Sequence, residues 1–379
     1  MAGKGTVLAA ALALSACASL ETTPPVSGAA AVDAARLDQQ RAAIDERLAL
    51  TRRVHDLAWP LFSANADLCG EKAGPTLGLV LADARGLSNA ISGLRRRDAE
   101  FAGYDDKPRV IAAPAGSPAA KAGLTPGDVV VSVGEDADPD EASLKEVGRG
   151  LDDAMKRHKD GQAETIAIAV ERDGVRREFR IAPEKTCRYP IRLGSTPVIN
   201  ASTNGSSITI HAGIARALSD KELQFVIAHE LGHSIMRHPG KATRASVFSG
   251  RLFVGIGAGL VGTVGDIGLS LIGRAPEVPL ATRGAALAVS PFGTDFEREA
   301  DYWGVYLVAR AGGDVEGLES AFDVLATLRP TSTWAQVVHP PTPDRRVAVR
   351  LAAEEVREKR ARGAELLPEG YEPPEADAR

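Results

Sequence analysis

Between Val32 and Asn65 apolar residues return every three or four positions among charges, with Leu37, Ile44, Leu48 and Val54 on one stripe. That is the period of an amphipathic helix, and Pro60 in "WPLF" marks its expected break or bend. The middle of the chain changes period. From Arg109 to Glu135 a strand, a Gly/Pro turn, a short Ala-rich helix from Pro118, a second turn at "TPGD" and another strand follow one another. "ETIAIAVERDG" and "VRREFRIAP" alternate apolar and polar residues around Asp173-Gly174, a hairpin signal. From Arg192 the pattern shifts again. "PVINASTNGSSITIHAGIARAL" predicts two short strands turning at Asn204-Gly205, and then a helix that Ser219 and Glu222 open as a capping box.

Two later stretches have no such period. "RLFVGIGAGLVGTVGDIGLSLIG", Arg251 to Gly273, is glycine-rich, apolar and of roughly membrane-spanning length. Asp266 and its glycines favour a loop or helical hairpin over a cleft, with a true span as the alternative. "SPFGT" then starts a further helix, at Ser290-Pro291 or at Thr294. The Pro/Glu-rich end, "ELLPEGYEPPEADAR", reads as disordered, with no helical-repeat pattern before it.

Composition narrows the classes. A chain of 379 residues, 44% hydrophobic, can bury more than one core. A net charge of −5 and 4% aromatic residues leave no basic stripe for phosphates, which excludes a nucleic-acid partner; Arg95-Arg96-Arg97 reads as a solvated helix face. Lys4 followed by "TVLAAALALSA" is a secretory signal, too short to span a bilayer. It ends at "LSAC", which resembles the lipobox of bacterial lipoproteins. The resemblance implies lipidation of Cys17 and, with Ala18 after it, anchoring at the outer membrane; an ordinary signal peptide is the alternative. "ETTPPVSGAAA" is then a linker that holds the protein off the membrane. Cys69 and Cys187 remain as an even pair in an oxidising compartment, read as a disulfide with two free buried cysteines as the alternative.

The chemistry sits in "VIAHELGHSIMRH". On a helix His229 and His233 are neighbours on one face, and Glu230 lies beside them. Two histidines can converge on a zinc, and the carboxylate can carry a proton from an activated water to a leaving amine. A catalytic zinc needs a third protein ligand. Glu297 supplies it from "FEREAD", and Asp301, four residues on, points the same way to orient a ligating histidine. Ala300 and Gly304 are small enough to let this helix approach the first. Glu299 falls off that face and is expected in solvent. His238, five past His233, reads as a helix C-terminal charge and not a ligand; His211 is expected on the cleft-edge strand, and His55 and His158 on the surface.

H-E-x-x-H followed by E-x-x-x-D, in "DKELQFVIAHELGH" and "EREADYWG", closely resembles the zinc endopeptidases that include HtpX, BepA, Oma and the CAAX prenyl endopeptidase, over roughly Pro190 to Gly363. "HPPTPDR" matches a further motif of that family. The resemblance implies that His339 and Arg345 lie at the cleft as oxyanion donors, or that His339 takes the open zinc position and holds the enzyme latent. A helix-starting histidine with a buried arginine ion pair is the plain structural alternative. "GSPAAKAGLTPGDVVVSVGE" resembles bacterial PDZ domains, with Leu144 to Arg157 as groove helix and "TLGLVL" as carboxylate-binding loop and strand; such domains capture C-terminal or extended peptide.

Together these readings predict an α+β protein: a signal peptide over 1–16, a linker over 17–31, a helical segment over 32–75, a PDZ-like β-rich domain over 76–189 with its core at about 108–184, a mainly helical zincin-type domain with a small edge-strand sheet over 190–363, and a tail over 364–379. The function they imply is a one-zinc metalloendopeptidase of the cell envelope, cutting misfolded or unassembled envelope proteins laid along "SSITIHAG". The other class kept open is a latent, zinc-stabilised chaperone or adaptor that binds unfolded or C-terminal segments through the PDZ-like groove.

Overall fold

A computed structural model describes residues 27–90, 96–101, 103–134, 143–241, 293–328 and 339–371. The expected signal peptide, Cys17, the first part of the linker, the Arg251 to Gly273 tract, the Ser290-Pro291 start and the last eight residues of the tail lie outside the described residues. No helix among the described residues is long and apolar enough to cross a membrane.

The first helix, α1 (Ala29–Ala64), continues through Pro60, so the expected break does not occur there. Proline removes one backbone hydrogen bond, but Trp59, Leu61 and Phe62 on either side of it are buried, and their packing offsets the loss. Residues 27–39 belong to one unit, with an exposed Asp33–Arg36 pair, and residues from Gln40 onward belong to a second. All that follows concerns the second unit.

A short 3-10 segment (Ala66–Lys72) leads into β1 (Ala73–Thr76), which pairs antiparallel with β7 (Glu184–Cys187). Cys69 and Cys187 are joined as a disulfide across this ribbon. Between β1 and β7 lies a five-stranded antiparallel sheet in the order β2-β3-β4-β5-β6: β2 (Val80–Ala82), β3 (Arg109–Ala112), β4 (Val129–Val133), β5 (Ile166–Arg172) and β6 (Val175–Ile181). The β5–β6 hairpin turns at Asp173 and Gly174, both at positive φ, which gives the tight primed turn that the strand twist favours. Two short helices, α2 (Ala84–Ala90) and α3 (Arg96–Phe101), follow β2. Then α4 (Pro118–Ala122) is capped by Ser117 and closed by Gly123 in the left-handed region. α5 (Leu144–Lys159) opens with a full Ser143/Glu146 capping box and sets Val147 and Ala154 on the sheet's core with Val130, Ile166, Ile168 and Val170.

The third part begins with a three-stranded sheet. β8 (Ile191–Gly194) runs parallel to β10 (Ile208–His211), and β9 (Ala201–Thr203) pairs antiparallel on β10's other side. This corrects the expected substrate strand: both edges of "SSITIHAG" are taken, so the edge strands of this sheet are β8 and β9. The hairpin at Asn204-Gly205 was legible, but not the parallel return of β8. After α6 (Ala212–Ala217) comes α7 (Asp220–Ile235), opened by the Ser219/Glu222 capping box and buried along nearly its whole length. α8 (Thr294–Arg310) crosses it closely. A Cβ on Gly232 would come within 3.1 Å of Trp303 Cβ, and one on Gly304 within 3.3 Å of the His229 backbone nitrogen, so the two glycines set the approach. α9 (Ser320–Leu328) and α10 (Pro343–Ala361) complete the core around Phe225, Ile227, Leu231, Trp303, Tyr306, Val349 and Val356.

The expected disorder from residue 364 is corrected up to Tyr371. Buried Lys359 binds the Glu369 carboxylate at 2.7 Å and the Leu367 carbonyl at 2.7 Å, and Tyr371 meets Trp303 edge-on at 4.7 Å. Low hydrophobicity hid this docking, which depends on one buried cation and one ring. His55 also departs from expectation: it is half-buried and lines a cavity with Trp59, and burial pushes its pKa down to about 4.

Candidate metal centre

Helix α7 brings His229 and His233 to one face, with their Nε2 atoms 3.1 Å apart. Glu297, on the first turns of α8, places Oε1 3.5 Å from His233 Nε2 and Oε2 3.6 Å from His229 Nε2. Donors bonded to one tetrahedral zinc at about 2.0 Å lie roughly 3.3 Å from one another, so this triangle fits zinc, and its chemistry of two imidazoles and a carboxylate is that of a zinc site. His339, just before α10, adds Nδ1 at 3.3 Å from His229 Nε2 and 2.8 Å from Glu297 Oε2. The ligand atoms of all four residues lie within 4.8 Å of one another.

Glu230 is 1% exposed, and neither carboxylate oxygen makes a hydrogen bond; its nearest charged neighbour is His339 Nε2 at 3.3 Å. Burial raises its pKa, against the pull of His339 and His229. A carboxylate so placed is a poised proton acceptor. His233 is held neutral, its pKa driven well down by burial despite Glu297, which leaves its ring lone pair for a metal. Burial would raise the Glu297 pKa, but the charge of His339 and hydrogen bonds from His233 and His339 outweigh it and hold it well below the carboxylate range. Burial likewise opposes the charged form of His339, and Glu297 and Glu230 overcome it, so this pKa rises.

Around these groups stand their supports. Asp301 Oδ1 lies 2.9 Å from His229 Nδ1, so the ring's outer nitrogen meets a carboxylate and Nε2 is turned inward. Arg345 is 3% exposed and donates from Nε and Nη2 to the two Asp301 oxygens at 2.7 and 2.8 Å. Its Nη1 reaches Glu297 Oε2 at 3.0 Å and the Pro340 carbonyl at 2.9 Å. The donors of Arg345, expected either at an oxyanion or in a buried ion pair, are turned in this structure onto the two carboxylates and the Pro340 carbonyl.

Two residues that sequence reasoning set aside belong here. His238 is fully buried, its Nδ1 2.8 Å from His233 Nδ1 and its Nε2 2.8 Å from Glu299 Oε2. The terminal-charge His238 of the sequence reading does not hold, because the ring is buried; Glu299, expected in solvent, keeps its side chain 38% exposed while it meets that ring. The helix ends at Ile235, and Arg237 takes a positive φ of 57°, which returns His238 beneath the ligand; helical periodicity does not reach past that turn. His211 stands apart from the group, at hydrogen-bond distance from Thr196 and packed on Gly194 of β8.

One wall of the site is apolar. A pocket of about 40 Å³ beside His229, Glu230 and His339 is lined by Ile214, Phe225, Phe322 and Leu325, with Asn200 and Ala201 of the β9 edge at its rim.

Residues 176–353 match peptidase family M48. Metalloprotease LoiP of Escherichia coli (strain K12) is 29% identical over 140 residues, covering 37% of this chain and 52% of LoiP. Metalloprotease YcaL of the same organism is 25% identical over 165 residues, covering 43% of this chain and 60% of YcaL. The chain therefore spans only about half the length of these curated relatives.

Proposed function

Residues 176–353 belong to peptidase family M48, a family of zinc metalloproteases, and from that premise we propose that this chain is a zinc metalloendopeptidase of the bacterial cell envelope. The observation that carries the reading is the buried His229–His233–Glu297 triangle with the unbonded Glu230 carboxylate beside it. His229 and His233 through Nε2, and Glu297 through a carboxylate oxygen, would hold one zinc. When bound, the metal supplies a Lewis acid for a carbonyl and lowers the pKa of water. Glu230 accepts the proton from the attacking water and passes it to the leaving amine. Asp301 and Arg345 keep His229 and Glu297 in register. A substrate strand adds to the free edge of β9, with one side chain entering the pocket lined by Ile214, Phe225 and Phe322.

His339 Nδ1 occupies the fourth corner of the ligand group. This supports a latent form in which His339 fills the position a substrate carbonyl needs, and it is the observation that keeps the adaptor reading in view. The five-stranded sheet with α4 and α5 fits a PDZ-like module whose client groove is the cavity of about 400 Å³ between β2 and α5. Trp59, Leu77, Leu79, Leu151 and Met155 line it, and Gly78, at φ +63°, passes too close to Ser117 and Trp59 for any side chain. Unfolded or C-terminal segments of envelope proteins are the clients this apolar groove suits. A lipid anchor at Cys17, at the periplasmic face of the outer membrane, completes the proposal; the Cys69–Cys187 bridge suits that oxidising compartment.

The test is zinc content and cleavage of an unfolded protein by wild type, Glu230→Gln and His339→Ala. One zinc per chain with activity in wild type, metal kept and activity lost by roughly 10²–10⁴-fold in Glu230→Gln, and activity gained in His339→Ala are expected. Zinc in all three with no cleavage by any favours the adaptor, and no zinc in wild type sinks both readings.

A further inference from the structure

The two histidine ligands are supported unequally. His229 meets a carboxylate directly, Asp301 at 2.9 Å, whereas His233 meets a third imidazole. A metal on His233 Nε2 leaves the ring proton on Nδ1. That Nδ1–H then donates to His238 Nδ1 across 2.8 Å, which requires the His238 proton on Nε2, and Nε2–H donates to Glu299 Oε2 across a second 2.8 Å. Only one set of tautomers satisfies both contacts. The chain of groups is completed by position: Phe296 stacks on the His238 ring at 4.6 Å with 20° between planes, and the left-handed Arg237 returns the backbone so that the ring faces His233.

We propose that His238 and Glu299 are positioning residues, a carboxylate–imidazole relay that fixes the tautomer and ring angle of His233 and so sets how tightly the centre holds zinc. The inference rests on the zinc reading above. It extends the metal motif from H-E-x-x-H to H-E-x-x-H-x-x-x-x-H in this chain and makes α8 contribute twice, Glu297 as ligand and Glu299 as anchor of the opposite ligand's support. The relay ends on a carboxylate 38% exposed, whereas the Asp301 support is sealed at 1%, so the His233 side is the one that reaches solvent.

The experiment is a zinc dissociation constant, measured by competition with a chelator, for the full chain as wild type, His238→Phe, His238→Gln and Glu299→Gln, alongside the Tm of each zinc-free protein. His238→Phe keeps the stacking on Phe296 and loses both nitrogens. His238→Gln presents an acceptor oxygen toward His233 and an N–H toward Glu299. Zinc binding about 10- to 100-fold weaker in His238→Phe, recovery toward wild type in His238→Gln, and a smaller loss in Glu299→Gln are expected, with no matching order among the zinc-free Tm values. Wild-type affinity in His238→Phe would overturn the relay alone. Equal weakening in the Phe and Gln variants, in step with their zinc-free Tm, overturns it in favour of packing. A wild-type chain that takes up no zinc overturns the metal reading with it.

Discussion

The pairing of Arg345 with Asp301 is the strongest test of how the site is built, because both residues are almost sealed from water, at 3% and 1% exposure. The guanidinium meets the carboxylate through two parallel bonds of 2.7 and 2.8 Å. Charge centres in such a pair stand about 4 Å apart, an attraction of roughly 4 kcal/mol at an effective dielectric constant of about 20. Desolvation offsets much of that in the intact pair, whereas removing one partner leaves the other charge buried and costs about 3–5 kcal/mol. Arg345→Met strands Asp301, and Asp301→Asn leaves the arginine with Glu297 and the Pro340 carbonyl. Arg345→Met is therefore expected to lose about 3–5 kcal/mol in urea unfolding of the zinc-free protein, and Asp301→Asn less, because Glu297 still pairs the guanidinium. The double variant leaves no uncompensated charge at this pair and is expected to lose less than the sum by about 2 kcal/mol or more. Losses that add to within about 0.5 kcal/mol would show that the two residues act independently, and the account of Arg345 as a brace for the ligands would fall.

Two further outcomes follow from the surrounding fold. The Cys69–Cys187 bridge spans 118 residues, so in the chain-entropy account its removal by paired serine substitution costs about 5 kcal/mol; a loss under about 1 kcal/mol in denaturant melts at matched conditions would refute that account here. His55, with its folded pKa pushed by burial to about 4, binds a proton in the unfolded chain near pH 6.5 before it does so when folded. Its contribution to stability is full above about pH 6.5 and is lost as pH falls toward about 4, so His55→Phe should flatten the acid limb of stability against pH, and an NMR titration of His55 centred near 6.5 would contradict it.

What could be read from the sequence was whatever depends on spacing within one regular element. The four-residue steps from His229 to His233 and from Glu297 to Asp301 convert directly into shared faces, and Ser219 and Glu222 mark where α7 begins because a capping box is a local device. Asp173-Gly174 marks a hairpin for the same reason. What depended on the chain leaving an element was hidden. His238 follows a left-handed residue that is not glycine, so a helical wheel projects its ring to the wrong side. The strand order β8-β10-β9 arises from a parallel return, and alternation within β10 carries no record of which edges are filled. The docking of residues 364–371 depends on Lys359, a cation whose burial no polarity pattern foretells.

The buried edge contacts also explain how a site split across three segments stays in register. Thr203, the last residue of β9, meets the Ser234 hydroxyl at 2.8 Å, and that hydroxyl donates to the Glu230 carbonyl at 3.0 Å. The strand proposed to carry substrate is thus bonded to the same turn of α7 that carries the proton acceptor and the second histidine. A peptide added to β9 in the proposed manner would be located relative to Glu230 through these two hydrogen bonds. α8 is tied to the same turn from the other side, by Gly232 against Ala300 and Trp303 and by Gly304 against the His229 backbone. Position errors between ligands, base and substrate strand are consequently set by contacts of one helical turn, whereas His339 approaches from a separate segment before α10. Its ties to the ligand group include Nδ1 at 2.8 Å from Glu297 Oε2 and, through the Pro340 carbonyl, Arg345, and these are contacts a substrate would have to break in the proposed latent form.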